Sequence, residues 1–335
     1  MEHVGLRKDT RYKIAVSTSY NYIFDKVNGR FWRWGTTKDD DPIFAPMPEL
    51  LDIEISEICT GHCPWCYKSN ISNGRNMSLE TFGQILDLFL PFMTQVALGI
   101  GDANTNPDLV PIMKHCREEG VVPNLTLTGI GLTNELANEL ASLAGAISVS
   151  VYPHTIEKAY STILWLQDLG LEQVNIHLIV AKETLDHTYQ VISDVNDFDW
   201  LNPNAVVLLA LKQKGRGVGL TSITQTEFKD LVDHCIGSIP LGFDSCSASS
   251  FLDAVGSREY DLYVEPCESG LFSYYVNVAG MGFPCSFAEG EVPGVNLLNV
   301  KDFSKEVWNN ATTSQWRETL LANGRRCPIY DIYGR

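Results

Sequence analysis

The chain has 335 residues, enough for one large core or two domains, and its 44% hydrophobic and 20% charged content is that of an ordinary globular protein. No apolar run reaches the ~18 residues of a membrane span and the first residues lack a signal-peptide core, so no membrane partner is expected and a cytoplasmic location is. A net charge of −16, from 41 acidic and 25 basic side chains, repels a phosphate backbone and disfavours nucleic acid as a partner. In a reducing compartment nine cysteines read as metal ligands and free thiols rather than disulfides.

Residues 1–47 read as a small β extension. The segment from Tyr12, then Tyr22-Ile-Phe24 and Arg30-Phe-Trp-Arg-Trp34, look like short strands, with a hairpin turn at Asn28-Gly29. Its aromatic residues are expected to pack, capping the larger α/β region, and the acidic run at 39–41 reads as a solvated loop.

From about residue 50 to 215, strand and helix signals alternate. Strands are expected at 51–55, 96–100, 124–128, 146–152, 174–181 and 205–211, with amphipathic helices at 79–92, 109–119, 134–143, 156–169 and 185–195. Strands spaced by helices pair in parallel through right-handed crossovers. A partial (β/α)6 barrel and a doubly wound open sheet share this alternation. The first strand, within Glu49-Leu-Leu-Asp-Ile-Glu-Ile-Ser56, alternates apolar and polar residues and reads as having one buried face.

Directly after that strand stands Ile58-Cys-Thr-Gly-His-Cys-Pro-Trp-Cys-Tyr67, which places Cys59, Cys63 and Cys66 in the spacing C-x3-C-x2-C. Three thiolates in one short loop can hold three irons of a [4Fe–4S] cluster and leave the fourth without a protein ligand. An open iron is a place for chemistry, whereas a site of four thiolates is closed. Zinc usually takes a fourth Cys or His at comparable range, and His62, inside the loop, is badly placed to complete a tetrahedron.

This loop resembles that of the radical S-adenosylmethionine (radical SAM) family. The resemblance selects a partial (β/α)6 TIM-like barrel over 48–220, with the cysteines beyond the carboxyl end of the first strand, where such barrels place their active sites. It implies that the open iron chelates SAM, which the reduced cluster cleaves to a 5′-deoxyadenosyl radical that abstracts a hydrogen atom from substrate. Trp65 occupies the position of an aromatic residue near the SAM adenine. Ile100-Gly101-Asp102-Ala103 stands where the family carries a glycine-rich turn. There Gly101 would let backbone approach the methionyl amino group, and Asp102 would accept from it or brace the loop. Ser148 and Ser150 share one face of the fourth strand and either bond the SAM ribose or merely bond backbone. Arg216, in Lys212-Gln-Lys-Gly-Arg-Gly217, is a candidate for binding a carboxylate of SAM or substrate, or a helix-end charge. His177 faces away from Ile176 and Leu178 and reads as a core or surface histidine.

In the last third, Cys267 and Cys285 flank a hairpin pattern, with Cys246 before them and Cys327 near the end. The set resembles the twitch or shortened SPASM domain of radical SAM enzymes, which implies an auxiliary-cluster domain over 221–335 holding a second [4Fe–4S] cluster. Cys246 is the candidate fourth ligand, and zinc on the same four thiols is the chemical rival. Cys116 and Cys235 read as buried small hydrophobes. The expected function is hydrogen abstraction from a peptide or protein, giving oxidation, a crosslink or epimerisation, with flavodoxin or ferredoxin as electron donor. The alternatives are a radical SAM dehydrogenase or isomerase of a small polar metabolite or nucleoside, and a non-catalytic iron–sulfur or zinc protein.

Overall fold

The computed structural model describes residues 4–256, 259–260 and 263–333. The chain begins with an antiparallel meander: β1 (Gly5–Lys8), β2 (Tyr12–Val16), β3 (Asn21–Asp25) and β4 (Phe31–Trp34). Gly29 takes φ +72° in the turn between β3 and β4, a conformation that glycine adopts without cost. The strand β1 has no counterpart in the expected pattern, being only four residues long.

The next segment repeats a unit of strand then helix. Its parallel strands are β5 (Leu50–Glu54), β6 (Gln95–Gly99), β7 (Val122–Leu127), β8 (Ile147–Ser150), β9 (Val174–Val180) and β10 (Val206–Ala210). The connecting helices are α1 (Leu79–Phe89), α2 (Leu109–Glu118), α3 (Asn134–Leu143), α4 (Ile156–Asp168) and α5 (Leu185–Asp197). Local chemistry sets several ends. Ser78 accepts from Thr81 N and starts α1, and Thr133 does the same for α3 through Leu136 N. Helix α1 stops three residues short of its expected end because Pro91 drives Leu90 into extended backbone.

Period-two alternation sorts each strand. On β9, Val174, Ile176, Leu178 and Val180 are buried, while Asn175, His177 and Ile179 point to the other side. The buried row packs on the helices as part of one continuous core with Phe82, Ile85 and Phe89 of α1. The opposite row faces the barrel interior. This corrects the reading of the first strand: the polar residues of β5, Asp52 and Glu54, line an internal cavity rather than meet solvent. In a barrel the face away from the helices is still inside.

The chain after residue 220 adds α6 (Gln225–Cys235), β11 (Leu241–Phe243), α7 (Ala248–Val255), β12 (Ser273–Val276), β13 (Met281–Phe283), β14 (Val295–Asn296) and α8 (Ala311–Ala322). These strands extend the barrel sheet at both edges. The order is β11-β10-β9-β8-β7-β6-β5-β12-β13-β14, with β11 parallel to β10 and β12 parallel to β5.

The β1–β4 meander sits against the amino ends of the barrel strands. Tyr22 and Phe24 pack with Phe92, Val122, Leu271, Phe272 and Leu320. Tyr22 donates its hydroxyl to Phe92 O at 2.6 Å, Lys13 Nζ reaches Met93 O at 2.6 Å, and Gln173 Nε2 donates to Asn28 O at 3.3 Å. Phe92, Met93, Val122 and Gln173 each lie just before or at the start of a barrel strand. The meander therefore seals the end of the barrel opposite the cysteine loop. Tyr22→Phe should cost about 1–2 kcal/mol, because it orphans a buried carbonyl, and Tyr22→Ala about 3–5 kcal/mol, because it also opens a cavity. Denaturant unfolding of both variants measures the difference; equal losses would mean that the hydroxyl contributes nothing.

Candidate functional site

The barrel interior holds a cavity of about 600 Å³. Cys59, Cys63 and Cys66 open onto it from the loop after β5. All nine cysteines are free thiols. Burial, and then Cys59 and Cys66, push the Cys63 thiol up to about 11, so iron must displace a proton to bind there. Among the described residues no three Cys, His, Asp or Glu side chains converge as ligands of one ion would. Cluster thiolates do not have to converge, since each takes its own iron. A Cβ on Gly61 would lie 3.5 Å from both Cys59 Sγ and Cys63 Sγ, which shows how the loop wraps its sulfurs around one open volume.

Lacking regular structure, the loop is held by its neighbours. Arg216 lines the cavity, and its guanidinium donates to Cys63 O at 2.8 Å and Asn70 O at 2.9 Å; its backbone N–H donates to Cys66 O at 3.0 Å. Gly215, at φ +56°, lies so close that a Cβ would meet Tyr67 O at 2.3 Å. From the other side Asp102, buried and off the cavity, accepts from Thr60 N at 3.0 Å and Thr60 Oγ1 at 2.7 Å. Gly101 does face the cavity, yet a Cβ there would meet Ile58 O at 2.3 Å and Cys59 Cβ at 2.6 Å. In this structure Asp102 braces the loop, and the close approach that Gly101 permits is to the loop itself.

Trp65, Ser148 and Ser150 all line the cavity. The Trp65 ring lies 4.8 Å from that of Tyr152, and its Nε1 is buried with no hydrogen-bond partner. A buried donor of this kind is available to a ligand. These residues fit an adenosyl group stacked beside the cysteine loop.

Apart from Arg216, the sequence pattern does not single out the charged groups of the cavity. Lys68, two residues after Cys66, pairs with Glu54 at 3.2 Å and with Glu289, and donates to Tyr275 OH at 2.7 Å. Lys212 pairs with Asp244. His177 lines the cavity inside the barrel and is pushed down to about 4, chiefly by burial. Burial first, and Glu54 second, push Asp52 up to about 7. The missed signal was alternation: each of β5 and β9 carries a polar row that a barrel turns inward.

Cys246, Cys267, Cys285 and Cys327 form a second group. Burial above all, then Lys212, Asp244, Cys267 and Cys285, act on the Cys246 thiol, which stands well above its usual range. Cys285 is pushed up to about 12 by burial, Cys267 and Cys327. Cys267 and Cys285 thus lie within electrostatic reach of each other, with Cys246 near Cys267 and Cys285 and Cys327 near the same two. Backbone N–H groups donate to two of them, Phe287 N to Cys285 Sγ at 3.4 Å and Tyr330 N to Cys327 Sγ at 3.3 Å, and Ser269 Oγ shares a hydrogen bond of 3.2 Å with Cys267 Sγ. Cys116 and Cys235 are fully buried in helices, away from both groups.

Two outcomes test this geometry. Anaerobically reconstituted protein should hold about eight irons, and Cys285→Ala about half of that, with one cluster spectrum retained; about four irons and one tightly held zinc would remove the second cluster. Gly101→Ala should lower the iron of the first site, because the cysteine loop must shift, whereas Gly219→Ala, with open space around it, should not. Equal iron in the two glycine variants would show that the loop accommodates the methyl group.

No family model matches the chain. Among curated proteins it is similar to the PqqA peptide cyclases of Methylocella silvestris (23% identical, covering 88% of this chain and 86% of that protein) and Bradyrhizobium diazoefficiens (22% identical, covering 82% and 76%). Among solved structures it is similar to Streptococcus suis SuiB bound to precursor peptide SuiA, with a TM-score of 0.72 at 10% identity over 95% of this chain and 90% of that one. Native anSMEcpe with bound AdoMet and Cp18Cys peptide gives 0.59 at 14% identity, over 79% and 82%. These structural likenesses concern the fold alone. The cysteine loop, the barrel around it and the likeness to the curated peptide cyclases together support a radical SAM enzyme.

Proposed function

We propose that this enzyme abstracts a hydrogen atom from a peptide substrate and leaves it oxidised, most simply as an intramolecular crosslink. One observation carries the reading: three thiols from a single loop face a closed-bottomed cavity large enough for a cofactor and one substrate side chain together. The curated relatives act on a peptide, PqqA, and the neighbouring structures hold peptides. A [4Fe–4S] cluster on Cys59, Cys63 and Cys66 would supply reductive cleavage of SAM to a 5′-deoxyadenosyl radical.

The chain's own residues do the rest. Arg216 and Asp102 fix the cysteine loop, so that the thiolates keep their spacing through a redox cycle. Trp65, Tyr152, Ser148 and Ser150 line the wall that would orient the adenosyl group. The sealed lower end of the barrel keeps water from a reactive intermediate, so access is left to the mouth. The second thiol group lies next to Lys212 of the cavity wall, where an auxiliary cluster would take the electron left on the product. A small one-electron carrier such as flavodoxin or ferredoxin fits as reductant, and the reading is of an oxidoreductase-type enzyme in the cytoplasm. Among the described residues no helix is long and apolar enough to cross a membrane.

Reconstituted protein given SAM and dithionite should form 5′-deoxyadenosine, and the triple change of Cys59, Cys63 and Cys66 to Ala should abolish it while leaving the fold in place. With a substrate peptide deuterated at the reacting position, deuterium should appear in the 5′-deoxyadenosine. Cleavage by the triple variant would sink the assignment. Label transfer from a small metabolite but from no peptide would move the substrate class.

A further inference from the structure

Nearly every charged side chain on the cavity wall already has a partner. Lys68 pairs with Glu54 and Glu289, Lys212 with Asp244, and Arg216 is held by loop carbonyls. Asp52 differs. It projects from β5 into the cavity, two residues before Glu54 on the same face, and among the described residues it enters no ion pair. The Ser286 hydroxyl bonds it, and Glu54, Lys68 and Tyr67 lie within electrostatic reach.

A carboxylate enclosed by protein without an ion-pair partner is costly, and the cost is relieved by a proton or by an arriving cation. Burial and the nearby Glu54 push Asp52 up to about 7 against the opposing pull of Lys68 and the Ser286 hydroxyl, so those two do not fully relieve it. The neighbouring strand β6 lines the cavity with Ala97, Leu98 and Gly99, none of which carries a charge, and β8 adds the small side chains of Ser148 and Ser150.

We propose that Asp52 is the specificity residue of this cavity and receives the basic side chain, lysine or arginine, of the peptide substrate. The proposal rests on the reading of a peptide substrate and adds the chemical class of the residue that enters. The side chain would lie along the β5 wall, its cation on Asp52, holding its methylene groups in the chamber that the cysteine loop faces.

The α-ammonium of SAM is the other cation that could reach Asp52, so binding is measured with SAM already saturating. Cluster-loaded protein is kept oxidised, so that SAM stays intact, and titrated calorimetrically with three probes: Nα-acetyl-lysine methylamide, its uncharged norleucine isostere and its glutamate counterpart. The lysine probe should bind about tenfold or more tightly than norleucine, with glutamate weakest. Asp52→Asn should bring lysine and norleucine within about twofold, and Asp52→Glu, which keeps the charge, should retain the preference. If Asp52→Asn does not fold, Asp52→Ser replaces it in the same titration. Equal binding of lysine and norleucine, no binding of lysine, or a preference that survives loss of the carboxylate overturns the proposal. Formation of 5′-deoxyadenosine by the unaltered protein after adding reductant is scored separately. SAM cleavage without a lysine preference sinks the specificity alone, while no SAM cleavage sinks the broader reading.

Discussion

Everything at this site depends on one guanidinium. Arg216, from the turn after the last barrel strand, bonds two carbonyls of the cysteine loop after the first barrel strand, 153 and 146 residues earlier in the chain. The loop has no ladder or helix to satisfy its backbone, so its shape is the sum of such borrowed bonds. A planar fork that can address two acceptors at once suits this task better than an ammonium would. The first and last strands of an incomplete barrel are thereby tied across its mouth.

Two further cations repeat the device. Lys68 leaves the cysteine loop for Glu289, and Lys214 reaches the carbonyls of Phe287 and Glu289. Glu289 lies four residues after Cys285, so the segments bearing the two thiol groups are bolted to each other as well as to the barrel. Burial makes these bonds matter more than exposed ones of the same length, because water competes less for their atoms. Their net worth to stability is a separate question, since ions brought inside lose hydration.

The outline of the fold could be read from the residues because its signals are local. Alternation on the strands, hydroxyl caps on α1 and α3, and glycine in the β3–β4 turn each act within a few positions. The three-cysteine loop is equally local. The charged interior could not be read this way. Asp52 and Glu54 follow the pattern of a surface strand, and only closure of the sheet decides that their face is internal. Lys68, Glu289 and Tyr275 meet through contacts more than 200 residues apart for Lys68, with no spacing to announce them. Asp102 and Gly101 were visible as a motif, but whether they serve the loop or a ligand depends on which atoms stand 2–3 Å away.

The parallel pairing of β12 with β5 has a mechanical meaning. Four register pairs, Ser273 with Leu50 through Val276 with Ile53, join the strand that leads into the cysteine loop to the strand that opens the second cysteine hairpin. Swinging the C-terminal region aside to widen the mouth would tear this ladder and strand its backbone groups. The geometry is that of a keyhole rather than a pair of jaws: a visitor has to pass through the opening as it stands.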